Sequence, residues 1–490
     1  MSRRRLWIAA SAGDAAIRFL AQMTTTIVVA RLLSPEDFGV ALMVLTVVAI
    51  FSTLIGQSIE ETLAQRQRLV LRHVQAALFV ALALTMALLA LAPIVAAGLV
   101  RMTGVGEIAF WLPVATLLLV GEGPGAVVRA LARRHRRFVM LSACQTASVV
   151  LASVVAILTA TLSPSVLSLI LQRQLPGLLF PLLAVAVALA MGRRGMRRSP
   201  FVRPAWDRDR FRELSRFSWL HLSVVALEAV TPAAVAYTVN GIFGTAVLGQ
   251  MNIALRIVDP LRQLIGGVGH NLIFSMLYRM QHDPRRLVVG AAEAVVGVGT
   301  FAVPAFLGLA VTAPMLLPLL VGPGWDSAVP LSRALCLAAA IYVPFGFFYS
   351  GYSALGRPEY GLAGSGLHLG VILAGLWIAR AAGYETGIGM AMIAGELVIC
   401  ALAIGLCVRI AGQAAAPALG RIARVWGAAL LMAAGLDLAR QGLGPAAPPA
   451  LELAGIVLAG ALLYPLLLIG ACRSCLDGLR RTLLPDREPG

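Results

Sequence analysis

Residues 30–39 read Ala-Arg-Leu-Leu-Ser-Pro-Glu-Asp-Phe-Gly, and this stretch decides how the rest of the chain is interpreted. An apolar segment precedes it and a second apolar segment follows at once, so it predicts two membrane helices joined by a very short polar hairpin. Ser34 before Pro35 suits a helix end followed by a turn, because proline disfavours the helical conformation of the preceding residue.

The composition extends this interpretation to the whole chain of 490 residues. Hydrophobic residues make up 59% and charged residues only 13%, and the mean hydropathy is +0.86. Soluble proteins carry about 25% charged residues. The loops are too short to fold as separate water-soluble domains of ordinary size. The chain is therefore predicted to be an all-α polytopic membrane protein.

About 20 apolar residues are needed to cross the hydrocarbon, and cuts at polar or Gly/Pro breaks predict about 14 transmembrane helices. Residues 1–191 form a six-helix N-terminal lobe and residues 217–409 a six-helix C-terminal lobe. Residues 192–216 form a basic amphipathic cytoplasmic linker on anionic headgroups, with a disordered basic loop as the alternative. Residues 410–490 hold two extra transmembrane helices and a cytoplasmic tail.

A weak internal repeat at an offset of 210 residues relates the two lobes. Asp37-Phe38-Gly39-Val40-Ala41 opens the second span, and Val247-Leu248-Gly249-Gln250-Met251 opens the eighth. The two six-helix units have the same orientation, so they are predicted to be parallel repeats. Such repeats are related by a pseudo-two-fold axis along the membrane normal, and substrate is handled between them.

The net charge of +17 is distributed along the chain, and all 40 basic residues are Arg. They fall on alternate loops, whereas a patch for nucleic acid would be local, so no nucleic-acid partner is expected. By the positive-inside rule, both termini are predicted to be cytoplasmic, which requires an even number of spans. Only Cys472 and Cys475 have metal-like spacing, and without a second pair they are interpreted as ordinary thiols.

Arg18 is the anomaly of the first span. An ionised side chain about three turns into a lipid-embedded helix is costly, so it should face a protein interior or a water-filled cavity. Asp14 lies four residues before it, so a structural ion pair between Asp14 and Arg18 is the alternative to ligand contact.

The eighth span carries a polar stripe of Asn252, Arg256, Asp259 and Arg262. Spacings of four, three and three residues place these side chains largely along one helical face, and a polar face of an apolar helix should line a cavity. Asp259 can also meet either arginine, so structural ion pairs are again the alternative.

Other polar groups inside spans are interpreted mainly as helix–helix hydrogen-bonding residues. These are Glu122, Arg173, His221, Glu228, Glu293, His368 and Glu396. Glu228 receives extra weight, because in span seven it is the 210-residue counterpart of Arg18. Asp14, Asp259 and Glu228 are the candidates for coupling to a cation or for orienting a partner. Glu60 and Glu61 are interpreted as part of a polar loop.

Four segments of the chain resemble one known family. They are the hairpin at 30–39, Gln65-Arg66-Gln67, Leu248-Gly249 with Ala254-Leu255-Arg256-Ile257, and Leu319-Leu320-Val321-Gly322 through Trp325. Over roughly residues 10–410 the chain resembles the oligosaccharide (Wzx-type) flippases of polysaccharide biosynthesis, in the multidrug/oligosaccharidyl-lipid/polysaccharide exporter superfamily. The resemblance implies two lobes in a V shape and alternating access in the bacterial inner membrane. It also implies transport of undecaprenyl-diphosphate-linked oligosaccharide to the periplasmic leaflet, for exopolysaccharide, capsule or lipopolysaccharide O-antigen.

The resemblance also bears on the site. In the lipid II branch of the superfamily, arginines of the first and eighth spans face the central cavity, and Arg18 and Arg256 resemble them in position along the chain. Arg suits a diphosphate, because its planar guanidinium donates paired hydrogen bonds to phosphate oxygens. The predicted substrate-binding residues are Arg18, Arg256, Arg262 and Asn252. No metal or organic cofactor is expected, and coupling to protons or Na⁺ stays open. The expected partners are the lipid-linked oligosaccharide, membrane lipids, a polysaccharide polymerase and glycosyltransferases.

Two other classes of function compete with the flippase. A cation-coupled exporter of small drugs would favour acidic residues in an otherwise apolar cavity, and the several arginines count against it. A membrane polysaccharide polymerase would need a large extramembrane loop or carboxylate clusters for acid–base chemistry. The chain lacks the loop and has only two adjacent acidic pairs, Glu36/Asp37 and Glu60/Glu61. It is therefore predicted not to be an enzyme.

Overall fold

The computed structural model describes residues 3–65, 70–135, 137–192, 219–280, 282–354, 358–380, 384–443 and 449–471. These ranges are helical apart from short turns and contain no β-strand, which confirms the all-α prediction. The α-helices are, in chain order, α1 (Arg3–Ala30), α2 (Pro35–Gln65), α3 (Leu71–Thr103), α4 (Ile108–Leu117), α5 (Glu122–Arg134), α6 (Phe138–Leu162), α7 (Val166–Gly192), α8 (Trp219–Phe243), α9 (Thr245–Arg279), α10 (Pro284–Val321), α11 (Ala328–Ala354), α12 (Pro358–Ala379), α13 (Tyr384–Ala411), α14 (Ala416–Leu443) and α15 (Pro449–Ala471).

The hairpin that opened the sequence analysis connects α1 and α2, as predicted. The Ser34 hydroxyl donates to the Asp37 carboxylate at 2.8 Å, and the backbone N–H of Ser34 donates to the same oxygen at 3.0 Å. Pro35 stands at the first helical position, where its missing N–H costs nothing. A side chain that returns to the N–H of the capping residue satisfies a donor that the helix itself leaves unpaired.

Ten helical stretches within the described residues are long and apolar enough to cross a membrane. One of them, Gly387–Gly442, is 56 residues long and runs through α13 and α14. Another, Ile108–Arg134, joins α4 and α5 through a short 3₁₀ turn. The protein is therefore a multi-pass membrane protein, while the number of 14 spans stays a prediction.

The chain divides into two compact units, Met1–Gly249 and Gln250–Gly490. In the first unit α8 packs against α2, and the Tyr237 hydroxyl donates to the Met43 carbonyl oxygen at 3.2 Å. The predicted lobe limits stay predictions. The predicted linker, residues 192–216, lies outside the described residues apart from residue 192, and so do Cys472 and Cys475.

Within the first unit, the first turn of α2 packs against the first turn of α9, and a glycine of each turn lies against the backbone of the other. A Cβ atom added to Gly39 would collide with the carbonyl oxygen of Thr245, and one added to Gly249 would collide with that of Pro35. Thr245 is the 210-residue counterpart of Pro35, and Gly249 is that of Gly39. Gly39 contacts Thr245, and the counterparts of these two residues, Gly249 and Pro35, contact each other. The contact is therefore reciprocal, as in a two-fold symmetric interface. This reciprocity favours the internal repeat predicted from the sequence.

The core of the second unit is built largely around α10 and the last helices. Val295, Val303 and Leu307 of α10 share a buried cluster with Val425 and Met432 of α14. Tyr464 and Leu468 of α15 join the same cluster. The segment near 422–441, which contains Asp437 and Arg440, is therefore a helix packed into this unit.

Candidate functional site

Arg18 and Asp14 both hydrogen bond to α6. The Arg18 Nη1 donates to the Thr146 hydroxyl at 3.1 Å, and the Ser142 hydroxyl donates to the Asp14 carboxylate. Each partner lies 128 residues along the chain, and each pair of residues is four apart on its own helix. The two bonds therefore form two rungs between α1 and α6, one helical turn apart. Because the two pairs have the same separation in sequence, these helices run in the same direction.

The rungs give Arg18 a defined position in the first unit. The sequence alternative was an ion pair between Asp14 and Arg18, whereas the structure gives each of them a hydroxyl partner on α6. A guanidinium carries five N–H donors, and the bond to Thr146 uses one of them. Arg18 is half-buried and so keeps the capacity to donate to a phosphate.

The polar stripe of the eighth span lies on α9, in the second unit, and divides into two pairs. The Arg256 Nε donates to the Asn252 side-chain oxygen at 3.1 Å. One turn further on, Arg262 Nη2 lies 3.0 Å from the Asp259 carboxylate. The expected ion pair of Asp259 is therefore found with Arg262, three residues away.

Exposure rises along this stripe. Asn252 is buried, Arg256 and Asp259 are half-buried, and the Arg262 side chain is 45% exposed. The Arg262 guanidinium carbon lies 5.9 Å from the centre of the Tyr342 ring on α11, within the range of a cation–π contact. The stripe thus leads from a buried amide to an accessible guanidinium.

Glu228, the third candidate for coupling, is exposed on α8. Its predicted coupling or orienting role stays a prediction. The His221 side chain lies outside the described residues, as do those of His270 and Asn271 near the end of the stripe.

The sequence analysis did not predict that four charged residues of the first unit form one ionic cluster, namely Glu60, Glu122, Arg129 and Arg133. Arg129 donates to Glu60 at 2.8 Å and to Glu122 at 2.6 Å, and Arg133 lies 2.5 Å from the second Glu60 oxygen. Glu60 lies within α2 and its side chain is 14% exposed, so assigning it to a polar loop was wrong. The helix continues to Gln65, and two arginines of α5 pair with Glu60 near this end.

Close packing encloses this four-residue cluster. A Cβ atom at Gly56 would lie 2.6 Å from Glu122, and the Arg129 guanidinium lies 5.9 Å from the centre of the Phe180 ring on α7. The signal in the sequence was the pairing of Gly56 with Glu60 and of Arg129 with Arg133, each four residues apart. Only the packing of α2 on α5 shows that the two patterns meet.

Charged pairs also join helices of the second unit. Arg421 near the start of α14 pairs with Glu293 of α10, as expected for a helix–helix contact. Near the other end of α14, Asp437 lies 3.1 Å from Arg440 and 3.6 Å from Arg333 of α11. These pairs hold α14 against two neighbouring helices.

His368 of α12 and Glu396 of α13 form another expected contact between helices. The His368 Nε2 lies 3.2 Å from Glu396 Oε1, and the two side chains are 18% and 13% exposed. In the part of the chain that the structure describes, no group of three or more His, Cys, Asp or Glu residues could hold a metal ion.

Comparison with known families decides where the chain belongs. The family described as "Polysaccharide biosynthesis protein" matches residues 28–330. The chain belongs to this family. The match includes the hairpin, the four-residue cluster and the α9 stripe, and it confirms the resemblance to polysaccharide flippases of the multidrug/oligosaccharidyl-lipid/polysaccharide exporter superfamily.

Two curated relatives agree with this assignment. The succinoglycan biosynthesis transport protein ExoT of Rhizobium meliloti (strain 1021) is 24% identical over 336 residues, which cover 69% of this chain and 66% of that protein. The lipopolysaccharide biosynthesis protein WzxC of Escherichia coli (strain K12) is 28% identical over 102 residues, 20% of each chain. The matched regions thus span just under two thirds of the first relative and a fifth of the second.

Solved structures show the same fold at low identity. The lipid II flippase MurJ in an inward closed conformation aligns with 95% of this chain and 99% of its own, with a TM-score of 0.71 and 10% identity. An inward-facing multidrug resistance MATE family transporter of the MOP superfamily covers 83% of this chain and 98% of its own, with a TM-score of 0.58 and 14% identity. The chain therefore shares the multi-helix fold of these two structures.

Proposed function

We propose that the protein is a flippase that moves undecaprenyl-diphosphate-linked oligosaccharide from the cytoplasmic to the periplasmic leaflet by alternating access. The product would supply assembly of a surface polysaccharide. Membership of the polysaccharide biosynthesis family supports the class of cargo. The names of the relatives, which concern succinoglycan transport and lipopolysaccharide biosynthesis, support a surface polysaccharide as the end product.

The polar stripe of α9 is the observation that carries this proposal. A sugar diphosphate cannot cross hydrocarbon unaided, so its carrier must offer cationic donors within an otherwise apolar helix. Asn252 orients Arg256, and Arg262 is partly accessible beside Asp259. A guanidinium held in position loses less freedom when it binds phosphate oxygens, which favours this arrangement over a mobile lysine.

We assign Arg18 in the first unit and Arg256 and Arg262 in the second as donors to the diphosphate, with Asn252 as an orienting residue. The bond between Arg18 and Thr146 holds one guanidinium nitrogen and leaves the hydrogen-bonding capacity of the others for the ligand.

The membrane potential gives this function a driving force. A headgroup with about two negative charges gains roughly 2.3 kcal/mol per charge per 100 mV when it leaves an inside-negative compartment. The chain has no Gly-x-x-x-x-Gly-Lys nucleotide loop. Outward movement would then proceed without ATP in the bacterial inner membrane, with both termini cytoplasmic and with glycosyltransferases and a polymerase acting before and after it.

The test is flux of a fluorescent undecaprenyl-diphosphate oligosaccharide in proteoliposomes, with the potential set by K⁺ and valinomycin. We expect wild-type flux to rise when the potential favours outward movement of negative charge. Liposomes that contain the R256A variant serve as the control. Wild-type flux equal to that of empty liposomes at every potential would overturn the proposed function.

A further inference from the structure

The His368–Glu396 pair lies near the middle of both helices, far from the polar ends of each. α12 is 22 residues long and α13 is 28, and both residues fall within stretches apolar enough to cross a membrane. Two ionisable side chains at this depth are costly, and such residues usually mark a pathway or a proton relay.

Glycines bring the two helices close enough to enclose the pair. A Cβ atom at Gly395 would lie 3.1 Å from the His368 ring and 2.6 Å from Ile372. Gly375 and Gly387 pack in the same way against Ala391 and Ala379. The imidazole therefore lies directly against the backbone of α13, with little room for water.

One oxygen of the pair is left without a donor. Glu396 Oε1 meets His368, whereas Oε2 is buried and has no hydrogen-bond partner within the described ranges. An ionised carboxylate can accept hydrogen bonds on both oxygens, so Oε2 is the oxygen open to a proton. A proton on Oε2 would remove that charge.

The charged groups on neighbouring helices are otherwise engaged. On α11, Arg333 pairs with Asp437, and on α10, Glu293 pairs with Arg421. Among the described side chains, the remaining titratable groups of α10, α11 and α13 are Arg285, Arg286, Cys336, Tyr342, Cys400, Cys407 and Arg409. The Cys400 thiol lies one turn beyond Glu396 on the same helix.

The ligand that suits this pair is a proton rather than a metal ion. Hard cations are held by about six oxygen ligands, whereas the pair offers one imidazole and one carboxylate. Asp14 and Asp259 are less suitable, because a hydroxyl and a guanidinium, respectively, already donate to their carboxylates.

We propose that His368 and Glu396 form a reversible proton-binding site. With one proton between them the pair is neutral, as imidazolium and carboxylate or as imidazole and carboxylic acid. From the imidazolium and carboxylate form, a second proton binds to the Glu396 carboxylate, which leaves a neutral acid beside an imidazolium and a net charge of +1. Loss of that proton restores the neutral pair. Coupling of this proton to transport of the lipid-linked sugar rests on the proposed function, whereas its binding does not.

The binding step is tested by infrared difference spectroscopy of the full-length protein in lipid vesicles, recorded between acidic and alkaline pH. We expect a C=O band of a protonated carboxyl group that disappears in E396Q and changes its midpoint pH in H368N. Glu293 is the matched control, because it also lies inside a helix but pairs with Arg421, so E293Q should keep the band. A difference spectrum that is the same in E396Q and the wild type would overturn the site, and so would a band that is unchanged in H368N.

The coupling step is tested in proteoliposomes by varying the pH gradient at a clamped potential. We expect wild-type flux of the lipid-linked oligosaccharide to change with the gradient and E396Q flux to be insensitive to it. An E396Q response equal to that of the wild type would overturn coupling through this pair. Absence of any wild-type flux, together with an intact infrared band, would reject the proposed function and leave the proton site standing.

Discussion

The four-residue cluster of the first unit and the polar stripe of α9 both pair arginines with carboxylates, but the pairs differ in how exposed they are. In the cluster, Arg129 bridges two carboxylates and is 17% exposed, so charge is balanced inside the protein. In the stripe, Arg262 is 45% exposed and its partner Asp259 is 33% exposed. An intramembrane arginine whose donors are used by buried carboxylates stabilises the fold. One that is partly accessible retains the capacity to bind a ligand.

The largest effect should come from breaking the cluster at Arg129. R129M leaves Glu60 and Glu122 buried without their shared partner, and removal of one member of a buried ion pair costs about 3–5 kcal/mol. We expect much lower membrane abundance and a lower Tm, measured by fluorescence-detected size exclusion after heating. R133A is the control, because Arg133 is 55% exposed and should cost less. A normally abundant R129M variant that exports no polysaccharide would instead place Arg129 in the transport site.

Removal of Arg256 tests whether the polar stripe of α9 binds the ligand. R256A should abolish polysaccharide export with normal membrane abundance, because a hydrogen bond to a charged group contributes roughly 1.5–3 kcal/mol. Export is measured as surface polysaccharide in a deletion strain that carries the variant. The matched control is R286A, since Arg286 is 83% exposed in a surface pair with Asp283 and should export normally. Wild-type export by R256A would remove Arg256 from the site.

The reciprocal glycine contact predicts two nearly equal effects. Either G39A or G249A places a methyl group against a backbone carbonyl, and overpacking of this kind costs roughly 1–3 kcal/mol. The double variant should cost less than the sum of the two, because the first methyl group already separates the segments. Thermal unfolding checks both expectations, with G13A as the control, since nothing lies within 4 Å of a Cβ atom there. A large effect at only one of the two glycines would contradict the symmetry of the contact.

The smallest expected effect concerns the rung that positions Arg18. T146V removes the hydroxyl that accepts from Arg18, with a loss of about 0.5–1.5 kcal/mol and a partial loss of lipid flux. T146S keeps the hydroxyl and should restore flux. Equal flux in both variants would mean that this rung does not position Arg18 for transport.

The sequence predicted the elements of the fold closely, because local rules govern them. The hairpin at 30–39 and the two helices within residues 410–490 lie where apolar length and polar breaks placed them. The 210-residue offset was weak as a sequence signal, and the reciprocal contact of Gly39 and Gly249 gives it structural support.

The site was predicted less completely, because its partners are distant in the chain. The pair of Asp259 and Arg262, three residues apart, could be predicted from the sequence of α9 alone. Arg129 and Glu60 are 69 residues apart, and His368 and Glu396 are 28 apart on different helices. No helical periodicity can reveal which of several intramembrane charges will meet.

By itself, the sequence determined that this protein is a bundle of long apolar helices with arginines placed at unusual depth. A bilayer core offers no water to the backbone, so every backbone hydrogen bond of a crossing helix must form within that helix. Hydropathy and length are therefore enough to predict where the helices lie. Only the tertiary structure decided which charges neutralise one another and which stay accessible. That outcome depends on helix packing, because a partner within about 3 Å can stabilise a charge that the hydrocarbon would otherwise reject.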